Sequence, residues 1–288
     1  MPYLVLFIFG LAIGSFMNVL ALRYTGDKFL FDPKVIGGRS RCPHCKKTLR
    51  WLELIPLISF IIQRARCRHC GARIGIQYPI VELLSGLIFV AVPARLLVFF
   101  GPGAITPEAF YILSGLWIGA LEILLLIAYV DLRLGIVPDE LNVLLGVVAI
   151  FETIFAAAYL GAERWSSFGA YASLFGLNGN LWLGHLAGAV FGAGFFGLLV
   201  LVTRGKGMGI GDVKLGLPLG FLFGWPDILL LYASAFIIGS VAGITLIIFH
   251  KGTRKSAVPF VPFLAVGAAF VFFAGLPAVQ WYFNLLGM

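Results

Sequence analysis

Apolar runs of about 20 residues, parted by short polar breaks, follow one another along nearly the whole chain. A helix of that length rises about 30 Å, the thickness of the hydrocarbon layer of a bilayer. The runs predict membrane spans at 3–22, 79–100, 108–130, 138–160, 181–203, 226–249 and 259–283. An eighth run, 212–224, is too short to cross alone. The fold class expected is therefore an all-α polytopic membrane protein of about eight transmembrane helices. One long polar stretch interrupts the pattern. It divides the chain into a first helix (1–22), a polar insertion (23–78) and a helical core (79–288), with no internal repeat or low-complexity tract.

Composition agrees: 60% of the residues are hydrophobic and 12% charged, with a mean hydropathy of +1.01. No soluble domain carries so much apolar surface, so the lipid bilayer is the expected surrounding. The net charge of +8 does not point to nucleic acid, because more than half of the 21 basic residues lie between Arg23 and Arg73. With the N-terminus outside, the inner loops hold that cluster, Arg133, then Arg204, Lys206 and Lys214, then Lys251, Arg254 and Lys255. Only Arg95 and Arg164 fall outside. The positive-inside rule selects this orientation and puts the insertion in the cytosol. The first run has no basic segment before it and no small-residue cleavage site, so it reads as a retained helix. The outer loop 161–180 is rich in small and aromatic residues and is expected to be a re-entrant or surface loop without chemistry.

Two carboxylates stand at the cytosolic ends of spans. Asp131 closes the third within Tyr129-Val130-Asp131-Leu132-Arg133, and Asp212 opens the sixth behind Gly207-Met208-Gly209-Ile210-Gly211. An ionisable group beside hydrocarbon is a functional candidate by default, and the topology puts both on one face at similar depth. Close carboxylates share a proton, so one can act on a water while the other polarises a carbonyl. Gly209 and Gly211 would let an extended substrate approach the backbone, and Lys214 would set local charge. Taken alone, Asp212 also suits a helix cap. The glycine run is no nucleotide loop, since no strand precedes it and the third fingerprint glycine is replaced by Asp212. Glu122 lies about 13 Å up the helix from Asp131. It, Asn18, Glu82, Asn142 and Glu152 are expected to make inter-helix hydrogen bonds.

The cysteines form two knuckles, Cys42-Pro43-His44-Cys45 and Cys67-Arg68-His69-Cys70, both in the basic insertion. In a cytosolic segment such pairs favour a tetrahedral four-thiolate zinc site. Redox dithiols or reduced structural cysteines are the alternatives. His44 and His69 sit between ligand positions and are expected to be exposed, while His185 and His250 are expected at the membrane interface.

These motifs, in this order, resemble the type IV prepilin peptidases, GxGD-type intramembrane aspartyl proteases of bacteria. The resemblance rests on Gly14-Ser15-Phe16-Met17-Asn18-Val19 with Arg23, both knuckles, Trp51, Ile55-Pro56, Ser59, and Tyr78-Pro79 with Val81-Glu82. It continues through Asp131, Val137-Pro138-Asp139, 207–214 and Pro259-Phe260-Val261-Pro262-Phe263. It implies that Asp131 and Asp212 are the catalytic pair and that Asp139 opens the following helix. It further implies a prepilin or pseudopilin substrate cut on the cytosolic side, and N-methylation of the new N-terminus with S-adenosylmethionine as donor. Leu54-Ile55-Pro56, Gln77-Tyr78-Pro79 and Arg133 depart from the usual pattern without removing either aspartate. Two other readings stay open: an intramembrane protease of other substrates, and an ion-coupled transporter or assembly scaffold.

Overall fold

In the computed structural model the described residues are 2–27, 29–101, 103, 105–159, 166–176, 180–205, 207–249 and 258–287. Arg164, Lys206, His250, Lys251, Arg254 and Lys255, which entered the expectations above, lie outside them. Among the described residues regular structure is helical, apart from two isolated bridges, and seven helices are long and apolar enough to cross a membrane. The chain divides into two compact units, Met1–Ala104 and Ile105–Met288.

The first unit is a helical hairpin carrying the polar insertion. Helix α1 (Pro2–Arg23) pairs with α4 (Gln77–Phe100). Ser85 donates to the Gly10 carbonyl (2.6 Å) and Asn18 to the Tyr78 carbonyl (3.1 Å), so the two helices run antiparallel. Such bonds are the expected use of polar groups in a membrane helix. Arg23 closes α1 and donates to the carbonyls of Val35, Gly37, Gly38 and Arg39, tying the insertion to the helix end. The insertion contains α2 (Pro33–Ile36), a 3₁₀ turn at Trp51–Glu53, α3 (Ile58–Ile62) and the two cysteine knuckles.

The second unit holds α5 (Pro107–Leu134), α6 (Asp139–Tyr159), α7 (Leu181–Thr203), α8 (Ile210–Phe223), α9 (Asp227–Ile248) and α10 (Val261–Leu285). Thr106 caps α5, accepting the Ala109 N–H at 3.3 Å, and Pro107 follows where no donor is needed. Helix α5 runs past its expected end to Leu134, so Asp131 is in its last turn. Helix α8 packs between α7 and α6, and α10 lies against α5 and α9. At 14 residues α8 is about 21 Å long, short of a bilayer crossing. The outer loop, expected to be re-entrant or to lie on the surface, is docked through its described residues 166–168. Ser166 and the Ser167 N–H donate to Asp227, and Phe168 packs on Val279 and Phe283. Asn142 donates to the Lys214 carbonyl (3.0 Å), joining α6 to α8. His185 is buried, its Nδ1 against the Phe221 carbonyl.

Candidate functional site

Three helix ends meet at Asp131 and Asp212. Helix α5 stops at Gly135, whose N–H donates to the Asp131 carbonyl (2.8 Å) in a left-handed turn (φ +68°) that glycine adopts without strain. The Asp131 carboxylate accepts the N–H of Val261, first residue of α10, at 3.3 Å. Asp212 is the third residue of α8, and its Oδ2 accepts the N–H of Gly209 at 3.2 Å. Each carboxylate therefore lies at a helix N-terminus, where unpaired N–H groups and the helix dipole favour negative charge. Both side chains are buried, 6% and 9% exposed, and close enough to interact electrostatically. The capping role of Asp212 is present and uses one of its two oxygens.

The other residues singled out in the sequence fall around this pair. Lys214 is two residues beyond Asp212, and its Nζ contacts both Asp139 oxygens, at 2.8 and 3.1 Å. Asp139 opens α6, so the pair tethers the start of α8 to the start of α6. Gly211 packs against Val137: a Cβ there would sit 2.9 Å from Val137 Cγ2. Gly209 is exposed. Two contributors escaped the sequence reading. One is the Val261 N–H, a backbone group whose only signal was the Pro-flanked helix start at 259–263. The other is Tyr232 of α9, which donates to the Gly192 carbonyl (2.9 Å) within electrostatic reach of Asp212. A cavity of about 30 Å³ also exists in this unit, lined by Trp117, Glu152, His185 and Asp227 among others. Trp117 is about 21 Å up α5 from Asp131, so that cavity is not part of this site.

The cysteine site is built in the first unit from two copies of one turn. The bridges Arg41↔Thr48 and Arg66↔Arg73 each close a loop. Cys42 N–H donates to the Lys47 carbonyl (3.0 Å), and Cys67 N–H to the Ala72 carbonyl (2.8 Å). Lys46 and Gly71 occupy matching positive-φ positions just after the second cysteine of each knuckle. All four sulfurs lie within 4.8 Å of one another, with Cys42 and Cys70 at 3.9 Å. That is far beyond a disulfide bond of about 2.05 Å. It is close to the roughly 3.8 Å between ligands of a tetrahedral ion with metal–sulfur bonds of about 2.3 Å. Ionisation argues the same way. Burial opposes the Cys42 thiolate, but the N–H groups of Cys45 and His44 and nearby thiols outweigh it and lower the thiol to about 7. The Ala72 N–H favours the Cys70 thiolate, yet desolvation and its three sulfur neighbours push it up to about 11. One thiol lowered beside another pushed up is what sulfurs crowded around a single point produce, and a cation at that point would suit them. His44 and His69 are exposed, as expected.

Residues 8–96 match the bacterial peptidase A24 N-terminal domain, and residues 117–244 match the type IV leader peptidase family. The chain is 29% identical to the prepilin leader peptidase/N-methyltransferase of Bacillus subtilis (strain 168) over 98% of each chain. It is 30% identical to that of Aeromonas hydrophila, over 96% of this chain and 92% of the relative. For that of Burkholderia pseudomallei (strain 1026b) the identity is 31%, over 97% and 86%. The chain belongs to the type IV leader peptidase family. The resemblance read from the motifs, the all-α membrane architecture and the protease assignment therefore hold, and a transporter or scaffold is set aside. No solved structure matches this leader peptidase.

Proposed function

We propose that this leader peptidase removes the short basic leader of prepilins or pseudopilins at the cytosolic face of the bacterial plasma membrane, using Asp131 and Asp212. It then methylates the new N-terminus. The observation that carries the catalytic pair is the convergence of two buried, mutually interacting carboxylates on three helix ends. One carboxylate, ionised, takes a proton from a water that attacks the scissile carbonyl; the other, protonated, donates to the carbonyl oxygen. Collapse of the tetrahedral intermediate returns a proton to the leaving amine. Each aspartate holds a single backbone N–H of similar length, so the geometry suits either as the base. The exposed backbone around Gly209 offers an extended substrate a hydrogen-bonding edge.

The N-outside orientation, argued from basic residues, keeps a charged leader in the cytosol while the substrate's apolar helix stays in the bilayer. Zinc fits Cys42, Cys45, Cys67 and Cys70 as a structural ion, because four thiolates leave no open coordination position. S-adenosylmethionine, when bound, supplies the methyl group for the new N-terminal amine. The described residues form no β-sheet to carry a glycine-rich nucleotide loop, so helices and loops would hold the donor.

The test is incubation of a purified prepilin with the detergent-solubilised protein, read by mass spectrometry with and without S-adenosylmethionine. A cut after the leader glycine, followed by a methyl mass shift only with the donor, is expected. Absence of cleavage across several prepilins would redirect the reading to other substrates.

Two further outcomes bear on the supporting residues. Lys214→Met removes the tether to Asp139. Both side chains are half-exposed or more, so a stability change below about 1 kcal/mol is expected. Cleavage should still fall several-fold, because the start of α8 loses its lateral hold. Unchanged turnover would mean that packing alone positions Asp212. The double substitution Cys42→Ser with Cys67→Ser is expected to remove stoichiometric zinc and open the basic segment 39–73 to trypsin. Metal analysis and limited proteolysis read both, and retained zinc would locate the ion elsewhere.

A further inference from the structure

The insertion leaves a cluster of large apolar side chains uncovered. Trp51 is 73% exposed, Ile58 53%, Ile61 72% and Ile62 62%, all within one short stretch that contains the 3₁₀ turn and α3. Its one carboxylate, Glu53, is turned inward: it is buried and accepts the Arg50 N–H at 2.7 Å. The stretch is bracketed by exposed cations, Arg50 before it and Arg64 and Arg66 after it. An apolar face with cationic edges and no outward acid has the composition of a segment that lies in a bilayer interface.

Its position fits that reading. The N–H of Leu57, the residue before α3, donates to Glu82 Oε2 at 2.8 Å. Glu82 lies five residues into α4, about 7.5 Å along a membrane-spanning helix. The bond therefore seats α3 beside the first turns of α4, at the depth where interfacial helices bury their apolar side, about 5–10 Å into the headgroup and acyl boundary. Ile76, just before α4, and Ile80 in its first turn are exposed as well, 68% and 47%, so the start of the span also presents apolar side chains.

We infer that residues 51–62 form an interfacial anchor which lays Trp51, Ile58, Ile61 and Ile62 into the membrane leaflet at the insertion end of α1 and α4. The flanking arginines bind anionic phospholipid headgroups. The occupant of this face is the bilayer, and the cysteine knuckles are held against the membrane surface. A basic substrate leader is repelled by the same arginines, which argues against the substrate as the covering partner.

The test is site-specific photocrosslinking in the full-length protein, reconstituted into nanodiscs of neutral phosphatidylcholine with or without phosphatidylglycerol. p-Benzoylphenylalanine replaces Ile61, or Ile62 in a second variant, and replaces Ile80 in α4 as the lipid-facing reference. Irradiation is expected to give phospholipid mass adducts at Ile61 and Ile62 comparable to those at Ile80, with yield rising several-fold when phosphatidylglycerol is present. Adducts at Ile80 without adducts at Ile61 or Ile62 would overturn the anchor. So would crosslinks from these positions to a second copy of the chain, or to an added prepilin. Equal yields on neutral and anionic discs would overturn the role of the arginines.

Discussion

Asp131→Asn and Asp212→Asn are each expected to lower prepilin cleavage by about 10³-fold or more, the scale of losing a positioned general acid or base. The substitution isolates chemistry from structure. An amide oxygen still accepts the Val261 N–H at position 131 or the Gly209 N–H at position 212, so the helix ends keep their caps. What is lost is the shared proton: an amide neither takes a proton from water nor gives one to a carbonyl. The loss should therefore appear in kcat with little change in KM, since substrate contacts along the exposed glycine segment are untouched. Membrane insertion and thermal unfolding should match the unaltered protein. The double variant should be no worse than either single one, because the two groups act as a unit. Full cleavage by either variant would remove that aspartate from the mechanism.

The architecture was legible because hydropathy and charge report the two constraints a bilayer imposes. Span positions follow from length and apolarity. The common face of Asp131 and Asp212 follows from where the basic residues fall along the chain. What stayed hidden has a physical reason in each case. The Val261 N–H that holds Asp131 is a backbone donor, and no residue type announces it. Tyr232 looks like one more apolar position in α9 until its hydroxyl is seen reaching the Gly192 carbonyl. Asp227 sits in the first turn of α9 with nothing in its neighbours to mark it, yet it is the anchor that docks the 166–168 segment. The apolar residues of 51–62 sit within a basic stretch, where averaging over a window buries their signal in the surrounding charge.

The glycines of α7 and α8 carry the second large effect. Their spacing, Gly188 and Gly192 against Gly216 and Gly220, is invisible to a hydropathy reading but is the small-residue pattern that lets membrane helices touch backbone to backbone. The pairs 188 with 220 and 192 with 216 show the helices running antiparallel. A Cβ on Gly192 would lie 2.1 Å from the Gly216 carbonyl oxygen. The two nearest atoms are both Gly216 backbone, which cannot swing aside as the Tyr232 hydroxyl at 3.2 Å could, so the helices themselves must part. Gly216 is one turn beyond Asp212, about 6 Å along α8, and any separation at this seam moves the carboxylate with it. Gly192→Val is accordingly expected to cost about 3 kcal/mol in stability, the upper range for overpacking. It should reduce cleavage by about 10²-fold or more, as a displacement near 1 Å does in a preorganised site. Gly194→Val on the same helix is the control: Gly194 is exposed and nothing lies within 4 Å of its Cβ position, so cleavage should be unchanged and stability should shift by less than about 1 kcal/mol. The comparison separates helix packing from helix propensity, since both substitutions remove a glycine and only one meets backbone. Normal cleavage by the Gly192→Val protein would mean that α8 holds Asp212 through its contacts with α6 and α9.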